Sequence, residues 1–330
     1  MSTVVIITVL IALSFDFLNG MNDAANSIAT VVSTKVLPPL LAVIWAAFFN
    51  FAAFFIFGVH VATTIGTGIV DPSIINEYIV LGGLLGAVLW VYLCTAFGFP
   101  ISVSHAIIGG LIGPSLIAGG TKVIIASGLI KVLLFIFLSP LIGVVLGYIF
   151  MIIIMYLFRK QPPRNVDNIF KRLQLLSSAV FSLGHGSNDA QKTIGMISVL
   201  LYSTGFLGPE FYVPFWVAIS CYIVIALGTL AGGWRVIKTL GLGLTHLKPV
   251  HGFCAEVSGA LSIIGSTLAG IPVSTTHTIT GAIMGVGMTK RLSAVRWGVA
   301  FNIVMAWILT IPGTILAGGL FYLLLLAILQ

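Results

Sequence analysis

Four short polar motifs stand in an otherwise apolar chain, and they come in two pairs. Gly20-Met21-Asn22-Asp23-Ala24 is answered by Gly186-Ser187-Asn188-Asp189-Ala190, and Pro100-Ile101-Ser102-Val103-Ser104-His105 by Pro272-Val273-Ser274-Thr275-Thr276-His277. On a helix, Asn19, Asn22, Asp23 and Asn26 share one face and form a polar stripe; His185, Asn188, Asp189 and Lys192 form the matching stripe. Carboxylates, Asn carbonyls and freed backbone carbonyls are hard oxygen ligands. They suit a hard cation such as sodium, and not zinc or iron, which would call for thiolates or clustered imidazoles. Asn22, Asp23, Asn26, Asn188 and Asp189 are therefore candidate cation ligands. Gly20 and Gly186 beside the stripes would permit an unwound turn that offers backbone carbonyls to the ion.

The second pair of motifs reads as an anion site. Proline is favoured at the first helical position, where its missing N–H is not needed, so Pro100 and Pro272 are each expected to open a half-helix. The free N–H groups of a first turn and the positive end of the helix dipole attract an anion. Ser102, Ser104, Ser274 and Thr276 add hydroxyl donors at the same place. Two such N-termini facing one point would accept a tetrahedral oxyanion. His105 and His277 could bond that anion or satisfy nearby carbonyls, and both readings stay open. Gln191 and Lys192 directly follow the second Asn-Asp pair; Gln191 is taken with the anion ligands, while Lys192 could neutralise Asp189 or touch the anion.

Of eight acidic residues, Asp71, Glu77, Asp167 and Glu210 fall in loops or at their edges. Asp16, Asp23, Asp189 and Glu256 lie inside apolar runs. A charge at the bilayer centre costs on the order of 2.5–3.5 kcal/mol, so such residues usually face a cavity or a partner. Glu256 joins the candidate cation ligands on this ground. Asp16, whose repeat counterpart is Ser182, is read equally as a structural or a functional group.

The elements that would position these groups are membrane helices. The chain of 330 residues is 59% hydrophobic and 7% charged, with a mean hydropathy of +1.18; a soluble domain carries roughly 25% charged residues. Apolar segments fall near 4–34, 37–60, 78–97, 100–119, 122–158, 173–201, 213–234, 250–268, 272–288, 292–310 and 313–329. The expected fold is an all-α integral membrane protein of about 10–12 transmembrane segments, multi-pass in the cell membrane. The start has no basic n-region and its apolar run is too long for a signal peptide, so it is taken as the first span.

The motif offsets, 189 − 23 = 166 and 277 − 105 = 172, repeat both motifs in the same order, which points to internal duplication. The halves are a first repeat at 1–158 and a second at 173–330, joined by a basic linker at 159–172. Basic residues collect in cytoplasmic loops, so the net charge of +7 speaks to topology rather than to nucleic acid. The linker, Lys35, Arg235, Lys238, Lys248, Lys290, Arg291 and Arg296 are expected inside, with Asp71, Glu77 and the N-terminus outside. If 122–158 crosses once, the repeats are inverted, with broken helices at a central site; Ser139-Pro140 could instead split it into two crossings, but the external N-terminus and internal linker favour an odd count and so inverted repeats.

Cys94, Cys221 and Cys254 are scattered in apolar runs and suggest neither a disulfide framework nor a zinc site. No G-x-x-x-x-G-K-[ST] phosphate loop occurs and no segment outside the apolar runs could hold a nucleotide-binding domain. No nucleophile–base pair stands out, so neither an enzyme nor a single-chain pump is expected.

These residues resemble a known family. Gly20-Met21-Asn22-Asp23-Ala24-Ala25-Asn26 and Gly186-Ser187-Asn188-Asp189-Ala190 are similar to the duplicated G-x-N-D-x-x-N signature of the inorganic phosphate transporter (PiT) family. The P-[IV]-S-x-[ST]-H motifs at 100–105 and 272–277 and the run Gly252-Phe253-Cys254-Ala255-Glu256 match it too, and the resemblance spans both halves. It implies cation-coupled symport of inorganic phosphate through inverted repeats, often as a homodimer. It further implies that Asp23 and Asp189 are essential and that Glu256 and His185 are functionally sensitive. Lys192, where the family often has Asn, and Asn50, where animal members carry Glu, depart from the pattern. The expected activity is sodium-coupled phosphate symport by alternating access, with no cofactor; a proton-coupled, metal-phosphate or sulfate carrier of the same architecture is the alternative. An anion channel would want a continuous polar pore, whereas the polar residues here concentrate at four short motifs.

Overall fold

The computed structural model describes residues 2–329, leaving Met1 and Gln330 outside the described residues. The described residues form twelve α-helices: α1 Thr3–Ser33, α2 Pro39–Ala52, α3 His60–Thr67, α4 Glu77–Phe97, α5 Val103–Gly119, α6 Ala126–Leu157, α7 Pro163–Ser203, α8 Phe215–Ala231, α9 Trp234–Gly243, α10 Pro249–Leu268, α11 Thr275–Met288 and α12 Trp297–Leu329. No strand is present among the described residues, only one isolated bridge between Val70 and Ile124.

Among the described residues, length and hydropathy alone qualify four helices to cross a membrane, namely α1, α4, α6 and α12. Two further candidates are bent pairs: α2 with α3, turned by 83°, and α8 with α9, turned by 69°. Gly232 makes the second bend possible, since its φ of 67° is open to glycine at little cost. Helices α5 and α11 have 17 and 14 residues, so at 1.5 Å per residue they reach about 25 and about 21 Å, short of a core of roughly 30 Å.

The run 122–158 holds one long helix, α6, with Pro140 inside it, as a single crossing requires. Two sequence expectations change. The runs 292–310 and 313–329 merge from Trp297 onward into one helix, α12, with Pro312 inside it. A proline removes one helical hydrogen bond and frees the carbonyl four residues back, and in membrane helices neighbouring groups can satisfy it again. His277 Nδ1 lies 3.4 Å from Ile136 O, the carbonyl that Pro140 leaves free. Finally, α1 and α7 run unbroken past Gly20 and Gly186. These glycines serve close packing instead: a Cβ on Gly20 would overlap Ile225 O of α8, and one on Gly186 would overlap the Asn50 backbone of α2. The breaks lie at α2/α3 and α8/α9. The second half of the basic linker, from Pro163 onward, is the opening of α7.

The packing repeats with the sequence. Helix α1 packs on α8 and α9 as α7 packs on α2 and α3, and α1 on α4 as α7 on α10. The halves also interlace, with α5 against α12 of the other half and α11 against α6. Two apolar clusters result. One gathers Val5, Ala12 and Phe15 of α1 with Ile194 and Leu200 of α7; the other gathers Ala25 and Ile28 of α1 with Phe170 and Phe181 of α7. Both long helices pass from one cluster to the other, and their polar stripes fall at the crossing. The outer faces of α6 and α12 expose Leu134, Phe137, Leu141, Phe301, Leu316 and Leu320, which a water-soluble domain would not leave open.

Candidate functional site

The site lies where α1 and α7 cross the N-termini of α5 and α11. Each short helix is opened by a serine rather than by its proline. Ser102 Oγ accepts from His105 N and Ser274 Oγ from His277 N, both at 3.3 Å. Pro100 and Pro272 precede these N-caps in non-helical backbone, so the expectation of proline at the first helical position gives way to serine capping, the stronger local preference. The two openings meet. The Ser104 hydroxyl donates to Val273 O at 3.2 Å, and the His105 and His277 rings stand edge to face at 4.8 Å. His277 also stacks on Trp307 at 3.7 Å, whose indole N–H donates to Pro100 O at 3.0 Å. Both histidines thus sit at the meeting point, His277 with one ring nitrogen toward a carbonyl, and His105 Nδ1 and His277 Nε2 have no partner.

The stripes face these openings. The Thr276 hydroxyl donates to Asp23 Oδ1 (2.9 Å) and accepts from Asn26 Nδ2 (3.0 Å). The Thr275 hydroxyl donates to Asp189 Oδ2 (2.9 Å). Lys192 Nζ pairs with Asp189 Oδ1, donates to Ser104 Oγ and lies 2.9 Å from Val273 O. The Asn50 amide nitrogen donates to Thr229 (3.0 Å), which turns its oxygen toward His185 Nδ1 at 3.1 Å. His185 Nε2 then points toward Asp189 Oδ2, 3.0 Å away, without a well-directed hydrogen bond. Ligand atoms of Asp23, His185 and Asp189 all lie within 4.8 Å of one another, a spacing that one cation could bridge. Exposure is 2% or less at Asp23, Asp189 and Lys192 and 5% at Ser104, so the site is shut from both sides.

The asparagines carry a further signal. Asn22 Nδ2 donates to Thr95 and Asn188 Nδ2 to Thr267, repeat-related threonines (267 − 95 = 172), at 2.7 and 2.9 Å. Their amide nitrogens are thereby fixed, and Asn22 Oδ1, Asn26 Oδ1 and Asn188 Oδ1 are left buried with no donor. An unpaired buried acceptor costs about 1–3 kcal/mol; these three belong to residues next to, or within one turn of, Asp23 and Asp189 along α1 and α7, and they are hard oxygens of the kind that suits a desolvated cation.

Two expected ligands stand apart. Gln191 Oε1 accepts from Val61 N and Ala62 N (2.8 and 3.2 Å) and its Nε2 donates to Ser187 O, so it caps α3. Glu256 accepts from Thr30 (2.6 Å), Gln174 (2.9 Å) and Ser177, a separate knot further along α1. Asp16 receives a 2.8 Å hydrogen bond from Thr193, with its second oxygen unpartnered. Sequence reasoning missed Thr95 and Thr267, whose matching offset could have revealed them. It also missed Thr275, which has no polar counterpart (Val103) and so no repeat signal, and the partners of Glu256.

Comparison with known proteins bears on the same residues. A sequence profile described as the phosphate transporter family matches residues 19–318. A probable low-affinity inorganic phosphate transporter of Rhizobium meliloti (strain 1021) is 56% identical over 94% of this chain and 93% of its own length. A protein of the same description in Bacillus subtilis (strain 168) is 39% identical over 98% of this chain and 99% of its own. A solved structure described as the sodium-dependent phosphate transporter superposes with a TM-score of 0.88 at 27% identity, covering 99% of this chain and 100% of that one.

Proposed function

The chain belongs to the phosphate transporter family, and from that premise we propose that it is a sodium-coupled phosphate symporter working by alternating access. It is a multi-pass protein of the cell membrane, and in this reading the exposed apolar faces of α6 and α12 meet lipid. The observation that carries the proposal is the group of donor-less Asn22, Asn26 and Asn188 oxygens beside two carboxylates, set against the meeting N-termini of α5 and α11.

Coupling follows from a shared hydroxyl. Thr276 donates to Asp23, and its proton is unavailable to an anion while it does so. A sodium ion that takes the lone pairs of Asp23 releases that proton. Thr276, with the free N–H groups of both first turns, then becomes a donor to phosphate. The cation also lowers the electrostatic cost of bringing a doubly charged anion to this depth. The two short helices and the mirrored packing of the halves support an inverted-repeat arrangement, in which exposure of the site passes from one side to the other.

The test is radiolabelled phosphate uptake into proteoliposomes under an inward sodium or an inward proton gradient, with excess sulfate as competitor. Uptake driven by sodium and indifferent to sulfate supports the proposal. Uptake driven by protons alone recasts Asp23 and Asp189 as proton carriers, and strong competition by sulfate refutes phosphate selectivity.

A further inference from the structure

Asn26 and Lys192 are one position in two repeats, since 192 − 26 = 166 is also the offset from Asp23 to Asp189. The fold gives them matching surroundings. Asn26 on α1 reaches across to Thr276 at the opening of α11 (3.0 Å), and Lys192 on α7 reaches across to Ser104 at the opening of α5. Ser104 and Thr276 are themselves repeat-related (276 − 104 = 172). What differs is the charge. At the first position, Asp23, the Thr276 hydroxyl and the donor-less Asn26 Oδ1 stand together with no fixed cation. At the second, the Lys192 ammonium holds the Asp189 carboxylate, the Ser104 hydroxyl and the Val273 carbonyl.

Those three partners are the oxygen types that ligate a hard metal cation. They also use all three donors of an ammonium, leaving none for an incoming anion. Lys192 is 2% exposed, so it cannot be a solvated surface charge. Building on the transport reading above, we propose that the Lys192 ammonium is a tethered substitute for one coupling cation. It fills the cation position of the second repeat throughout the cycle, and Asp189 is neutralised without an ion from solution. Phosphate transport by this chain then uses one cation fewer than it would with Asn at 192.

The test compares wild type with Lys192→Asn. Saturating radiolabelled sodium binding to purified protein is expected to rise by one ion per chain. The sodium activation curve of phosphate uptake is expected to steepen by about one in Hill slope, and the charge moved per phosphate to increase by one. Because the variant leaves Asp189 uncompensated, its folding is expected to need sodium, so its melting temperature should climb more steeply with sodium chloride than with choline chloride. An equal sodium count in both proteins overturns the assignment, as does a variant whose folding sodium fails to rescue. Wild-type uptake that ignores every cation gradient would instead overturn the transport reading beneath it.

Discussion

Asp23→Asn isolates the charge at the centre of the site. The substitution keeps the shape, and Thr276 can still donate to the remaining carbonyl oxygen, so the packing of α1 against α11 is preserved. Lys192 Nζ pairs with Asp189, so the uncompensated charge that a cation meets here is that of Asp23. With an effective dielectric of about 20, a cation about 2.4 Å from that carboxylate, a distance typical of hard oxygen ligation, is attracted by 332/(20 × 2.4), or about 7 kcal/mol. The Asn carbonyl keeps an oxygen ligand in place but loses this charge–charge attraction. At 1.4 kcal/mol per decade the loss is up to about five decades in cation affinity. The assay is the sodium concentration giving half-maximal phosphate uptake in proteoliposomes, with melting in detergent as the check on folding. A half-maximal concentration that moves less than tenfold, in a variant that melts like the wild type, would refute the placement of the cation at Asp23.

Glu256 tests a different kind of burial. Glu256→Ala leaves the Thr30, Gln174 and Ser177 donors without an acceptor, at about 1–3 kcal/mol each, whereas Glu256→Gln keeps an acceptor and lets the Ser177 hydroxyl rotate; thermal melting should show a large drop for the first and a small one for the second, and equal drops would count against this network. Gly186→Val would drive a side chain into the Asn50 backbone and should reduce folded yield in size-exclusion profiles, while Gly265→Ala, with open space around its Cβ position, should hold or gain up to about 1 kcal/mol. Trp307→Phe leaves the buried Pro100 carbonyl without the indole N–H and should cost about 1–3 kcal/mol, seen as a fall in melting temperature with sodium affinity unchanged.

What could be read from the sequence and what could not divide along physical lines. The apolar composition, the duplicated motifs and the polar stripes on α1 and α7 are local properties: helical periodicity and the cost of burying charge act within a few turns, so helices, membrane residence and candidate ligands were legible in order along the chain. The resemblance built on those residues agrees with the family to which the chain belongs. The merging of 297–329 into one helix was not legible. Proline marks a break by local rules, and α6 shows what can override them, as the carbonyl freed by Pro140 meets His277 from 141 residues away. The unwound turns expected at Gly20 and Gly186 did not form because those glycines admit the backbones of α8 and α2, neighbours that no local pattern identifies. Tertiary structure alone decided that Asn26 reaches Thr276 across 250 residues, that Gln191 caps α3, and that Lys192 rests on Asp189 with Ser104 and Val273. Such pairings depend on how the two halves interlace, and interlacing is a property of the packed chain rather than of any segment within it.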